Sequence, residues 1–198
     1  MKTVTTGSNT LMRNINACMK AQELVLIDLY LNAMFDNAVN AVINCYRLGG
    51  RLYIAGNGGS AADAQHLAAE FVSKLTRDRA PLPAEALTVD SSILTAIGND
   101  YGFDQVFSRQ LAAKLTQNDI FLGITTSGRS PNILRALEIS QAKRIPTILF
   151  SGHDGGPAKE LADFPIIVPG EMTSTIQELH ILLAHSLCES VELAIFGK

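Results

Sequence analysis

The stretch RLYIAGNGGSAADAQHLAAEF, residues 51–71, decides the fold class. Its first six residues are a continuous apolar run ending in glycine, and its alanine-rich second half has no residue that breaks a helix. A strand that is apolar throughout, rather than alternating, must be covered on both faces. The same rhythm recurs at AEALTV (84–89), DIFLGIT (119–125), PTILFS (146–151) and FPIIVP (164–169), with helical stretches between. Apolar strands joined by helices predict right-handed crossovers in a parallel sheet. The expected architecture is therefore α/β, an open five-stranded parallel sheet sandwiched by helices.

Outside this unit, residues 10–47 carry Leu24, Leu26, Ile27, Leu31, Met34, Phe35, Val39, Val42 and Ile43 at mixed three and four spacing, without proline. That pattern predicts one or two helices. A final helix is expected from Thr173 to Phe196. We divide the chain into an N-terminal helical extension, 1–40, and an α/β domain, 41–198. The extension carries more apolar residues than its contact with an α/β unit consumes, which predicts an oligomer, a homotetramer.

Bulk properties narrow the function classes. A chain of 198 residues, 47% of them hydrophobic, suits one domain with a two-sided core. Its net charge of -3 and lack of long like-charge runs exclude the basic footprint of a nucleic-acid binder. No stretch reads as an export signal or a membrane span, so no membrane partner is expected and the predicted location is cytoplasmic. Cys18, Cys45 and Cys188 are odd in number and far apart, as suits reduced thiols.

Ligands of open parallel sheets bind beyond the carboxyl ends of the strands. Two loops there are unusual. The first, Gly56-Asn57-Gly58-Gly59-Ser60, precedes a helix whose free N–H groups favour an anion, although a plain tight turn has the same composition. Neither a dinucleotide nor a P-loop fingerprint is present. The second, Thr125-Thr126-Ser127-Gly128-Arg129-Ser130-Pro131, ends in an N-cap serine and a first-turn proline. Its hydroxyls ahead of a helix N-terminus suit a phosphate cradle. His66 and Glu70, four apart, share a helix face, and Gln177, Glu178, His180 and His185 interrupt the apolar C-terminal helix. Such groups suit an open zinc site. Spacing alone equally admits interface residues without a metal.

Five segments together, GNGGSAADAQHLAAEF (56–71), AIGNDYGFDQVFSRQ (96–110), TTSGRSPNI (125–133), GHDGG (152–156) and IQELHILLAH (176–185), resemble the SIS-domain phosphoheptose isomerases in unbroken order. That family interconverts sedoheptulose 7-phosphate and D-glycero-D-manno-heptose 7-phosphate in lipopolysaccharide heptose biosynthesis, as a homotetramer. The resemblance implies the SIS fold, with Asn57, Gly58, Gly59, Glu70, Asn99, Asp100, Thr125, Thr126, Ser127, Ser130 and Gln177 binding substrate. It further implies one zinc ion per subunit, held by His66, Glu70, Gln177 and His185, and an acid/base pair of Glu70 and His185. Ser174 stands where many members have an aspartate, Lys74 where many have arginine, and Arg129 where a small polar residue is usual. Two other readings share the fold: a non-catalytic regulator that binds the replication initiator protein, and a sugar-phosphate sensor. Neither needs an acid/base pair.

Overall fold

Two helices open the chain in the computed structural model, which describes residues 6–197. The first five residues and Lys198, both ends of the ranges read from sequence, lie outside the described residues. Helix α1 (Gly7–Ile27) starts where the Thr6 hydroxyl accepts from the Asn9 N–H, and α2 (Leu29–Arg47) where Asp28 accepts from the Leu31 N–H at 2.9 Å. Asp28 is extended, so what could have been one long helix breaks at its own N-cap.

Strands and helices then alternate: β1 (Leu52–Gly56), α3 (Gly59–Val72), β2 (Ala84–Ala86), α4 (Ser91–Tyr101), a 3-10 turn at Phe103–Gln105, and α5 (Ser108–Lys114). After them come β3 (Ile120–Thr125), α6 (Pro131–Ala142), β4 (Thr147–Ser151), α7 (Ala158–Leu161), β5 (Phe164–Ile167) and α8 (Thr173–Phe196). The five strands form one all-parallel sheet in the order β2-β1-β3-β4-β5. Only β2 is clearly shorter than its apolar run. The chain leaves the sheet after Ala86 because Asp90 caps α4, accepting from the Ile93 N–H at 2.9 Å.

Every residue of β1, β3 and β4 is buried, yet the strands still sort by the two-residue period. Leu52, Ile54, Leu122, Ile124, Ile148 and Phe150 face one core with α1, α2, α3 and α8. Tyr53, Ala55, Phe121 and Leu149 face the other, with α5, α6 and α7. The Asp119 carboxylate accepts from the Arg51 N–H at 2.8 Å and the Thr116 N–H at 2.7 Å, aligning the starts of β1 and β3.

The boundary read at residue 40 falls inside α2, where Ala38, Val42, Ile43 and Cys45 are buried in the first core. Helix α8 is long and apolar enough to cross a membrane, which the sequence reading did not credit to any segment. Ten of its residues are buried against the sheet and α1, α2 and α3, the environment of a core helix.

Candidate functional site

Three helix N-termini converge at the carboxyl ends of β1 and β3. Helix α3 begins at Gly59, α6 at Pro131 and α8 at Thr173, and residues of α3 and α8, with the N-cap Ser130 of α6, line a cavity of about 290 Å³. Free N–H groups at three helix starts favour an anion in that space. Asn57, Gly58, Gly59, Thr125, Thr126, Ser130 and Gln177, all anticipated from sequence, line it. Gly59 permits the approach of α8, since a Cβ there would lie 2.5 Å from the Gln177 amide nitrogen.

The hydroxyl loop is held from both sides. Gly128 sits at φ +64°, and an added Cβ would strike the Gly155 carbonyl. Ser130 is the N-cap residue of α6 by position, but its hydroxyl does not cap the helix; it pairs with the Thr125 hydroxyl at 3.0 Å. Ser127 does not line the cavity, because its oxygen accepts from the Arg129 N–H at 3.2 Å. Arg129 reaches away to Asp154 at 2.5 Å. Asn57 and buried Asn132 exchange amide hydrogen bonds of 2.9 and 2.8 Å, which locks the two loops together. Asn132, Ser60 and Thr173 were missed in the sequence. Asn132 reads there as an ordinary first-turn polar residue, whereas Thr173 carried a signal, being a hydroxyl at the start of the last apolar helix.

A second cluster lies along the seam between α3 and α8, which pack side by side. The His66 and His185 rings meet edge to face with their Nε2 atoms 2.8 Å apart, and Glu70 Oε1 lies 3.5 Å from His66 Nε2. At that distance one ring donates a hydrogen bond and the other accepts it. His66 is half exposed, so a substrate can reach the cluster, while Glu70 is largely covered. One turn before His66, burial pushes the Asp63 carboxyl up, with His66 opposing, and buried Asp63 Oδ2 has no hydrogen-bond partner among the described residues.

Two nitrogens and a carboxylate are zinc-type donors. Among the described residues no three His, Cys, Asp or Glu side chains already surround a metal position. The contact between the two imidazoles explains this, since nitrogens bound at about 2.0–2.1 Å in a tetrahedral shell must stand further apart than a hydrogen bond holds them. The donor set fits the ion once the rings part.

The remaining expected residues lie elsewhere. Asn99 and Asp100, bonded to each other at 2.7 Å, are exposed on α4, a helix with no buried residue, and do not line the cavity. His180 belongs to neither cluster. It is 1% exposed, packs against Phe150, and burial pushes its pKa down to about 4. The three cysteines are free, and burial pushes the Cys45 and Cys188 thiols up to about 12.

The α/β sandwich with an anion-favouring cavity at its strand ends places this chain among the open parallel α/β domains whose ligand site lies beyond the carboxyl ends of the strands. The sequence model of the SIS domain matches residues 15–152. The chain is 48% identical over 195 residues to phosphoheptose isomerase 2 of Campylobacter jejuni, covering 94% of this chain and 97% of that one. Among solved structures, a phosphoheptose isomerase from Francisella tularensis superposes with a TM-score of 0.89 at 34% identity, covering 94% and 98% of the two chains. The phosphoheptose isomerase of Neisseria gonorrhoeae does so with a TM-score of 0.82 at 37% identity, covering 93% and 96%. The chain belongs to the phosphoheptose isomerase family of SIS-domain proteins.

Proposed function

We propose that this enzyme interconverts sedoheptulose 7-phosphate and D-glycero-D-manno-heptose 7-phosphate. The observation that carries the reading is the placement of both clusters on the same two helices. Gly59 and His66 are seven residues apart on α3, and Gln177 and His185 eight apart on α8, so the anion cavity lies about 10–12 Å along the helices from the imidazoles. An extended seven-carbon chain with a terminal phosphate spans such an interval, and a three-carbon one does not.

Aldose–ketose exchange moves a proton between C1 and C2 through an enediolate. Glu70 takes the proton from carbon, and His185 supplies one to the substrate oxygen. The hydroxyls of Thr125, Thr126 and Ser130 and the three helix N-termini hold the phosphate equally in ground and transition states, which orients the distant carbons. His66, Glu70 and His185 would hold one zinc ion per subunit, which when bound polarises the substrate oxygens, while Gln177, the fourth donor the family resemblance implies, lines the anion cavity. A homotetramer belongs to the same reading, supported by the exposed apolar residues of α1 and α2. So do a cytoplasmic location, which suits a phosphorylated substrate that does not cross membranes unaided, and a place in heptose biosynthesis.

The test is an isomerase assay on sedoheptulose 7-phosphate, with zinc removed and restored, on wild type and Glu70→Gln. Glutamine keeps the shape but cannot accept the proton, so turnover falls at least about 100-fold, while the variant stays folded. Exchange of substrate hydrogen with deuterated water stops as well. A folded variant that retains turnover and exchange would sink this mechanism.

A further inference from the structure

Beyond the cluster, at the far end of the α3–α8 seam, lies a buried ion pair. We infer that Arg79 and Glu192 are positioning residues that hold Glu70 and His185 in register. Both side chains are 3% exposed, and the guanidinium binds Glu192 Oε1 through Nη2 at 2.6 Å and Nε at 2.7 Å. The same guanidinium donates to the Glu70 carbonyl at 2.8 Å and the Phe71 carbonyl at 2.7 Å. Glu192 lies two turns beyond His185 on α8. One planar group thus ties the main chain of the proposed base to the helix of the proposed acid.

The remaining contacts close the same joint. Glu192 also accepts from the Leu75 N–H at 3.1 Å, so it fastens the chain that leaves α3. Carbonyls at a helix end lack intrahelical partners, and Arg79 supplies them for the turn that bears Glu70. Lysine, a single point donor, cannot reproduce a fork that serves one carboxylate and two carbonyls together. Neither residue touches the anion cavity, which is lined by other residues.

The inference rests on the isomerase reading, and its test separates the two. Replacing a buried ion pair by apolar side chains of similar size is often neutral or stabilising. The double variant Arg79→Met/Glu192→Met is therefore expected to keep its fold, melting below wild type only through the lost partners of the Glu70 and Phe71 carbonyls and the Leu75 N–H, with kcat lowered about 100-fold, the scale of a 1 Å misplacement, and KM within about twofold. Arg79→Lys, which keeps the charge pair, should show the same split more mildly, and it decides the matter should the double variant fail to fold. In metal-free crystals of either variant the 2.8 and 3.5 Å contacts of His66 should open relative to metal-free wild type. A folded variant with kcat within twofold of wild type overturns the proposal. Should the wild type isomerise no sugar phosphate, the isomerase reading falls; the crystal contacts then still decide the pair, and unchanged contacts overturn it.

Discussion

His180 shows what a single buried ring does to the molecule. Among the described residues its two buried nitrogens have no hydrogen-bond partner, and it stays neutral because charging it there would strand an ion in the core. With a folded pKa of about 4 against 6.5 for the free side chain, the unfolded chain binds the proton more readily between those values. Stability is therefore complete above pH 6.5 and falls as the pH drops towards 4. At 1.36 kcal/mol per pH unit, the loss between pH 6.5 and 5 is about 2 kcal/mol. Urea unfolding at pH 7 and pH 5 measures it, and His180→Leu should remove more than half of the difference. A wild type equally stable at both values would contradict a neutral buried imidazole. Glu192 acts lower on the scale. Burial raises it, but the Leu75 N–H and Arg79 outweigh that and hold it below its ordinary value, so its contribution fades only as the pH falls below about 4.5.

At the scale of elements, the loop from Thr125 to Ser130 depends on Gly128 more than on its hydroxyls. Alanine there combines a left-handed backbone with a clash against the Gly155 carbonyl, so Gly128→Ala should destabilise by more than about 1 kcal/mol and raise KM as Thr125 and Ser130 separate. Gly98→Ala is the contrast. It lies in α4 with no atom within 4 Å of the added carbon, and should be neutral or stabilising by up to about 1 kcal/mol. Thermal melts of the two variants test the pair, and a loss at Gly98 as large as at Gly128 would refute the argument. The five strands were readable because burial on both faces leaves unbroken apolar runs. The overshoot at Leu87, Thr88 and Val89 came from a helix cap that apolar content does not reveal. Glycines and hydroxyls likewise marked the cavity loops. The meeting of His66 with His185 spans 119 residues, and no spacing rule links them; only the family resemblance did. Arg79 and Glu192 went unread because a lone carboxylate in an apolar helix looks the same whether it is paired or solvated.

The molecule as a whole leaves large apolar side chains uncovered where α1 meets α2. Leu26, Ile27, Leu29 and Tyr30 range from 65% to 83% exposed, on a chain whose own cores are closed. Patches of this kind mark interfaces. Leu26→Glu with Leu29→Glu should yield a folded species of lower mass by light scattering, and an unchanged mass would place the interface elsewhere.

The strand order carries a consequence for the chain as it is made. The central partner of β1 is β3, and Thr125 lies 69 positions after Gly56. At roughly 5–20 residues per second of synthesis, β1 waits several seconds with one edge open before its permanent neighbour leaves the ribosome. Only the three residues of β2 can cover its other edge in that interval. The nascent chain is thus most vulnerable to wrong pairing midway through translation, and the anion cavity, formed at the junction of these two strands, cannot exist until that wait is over.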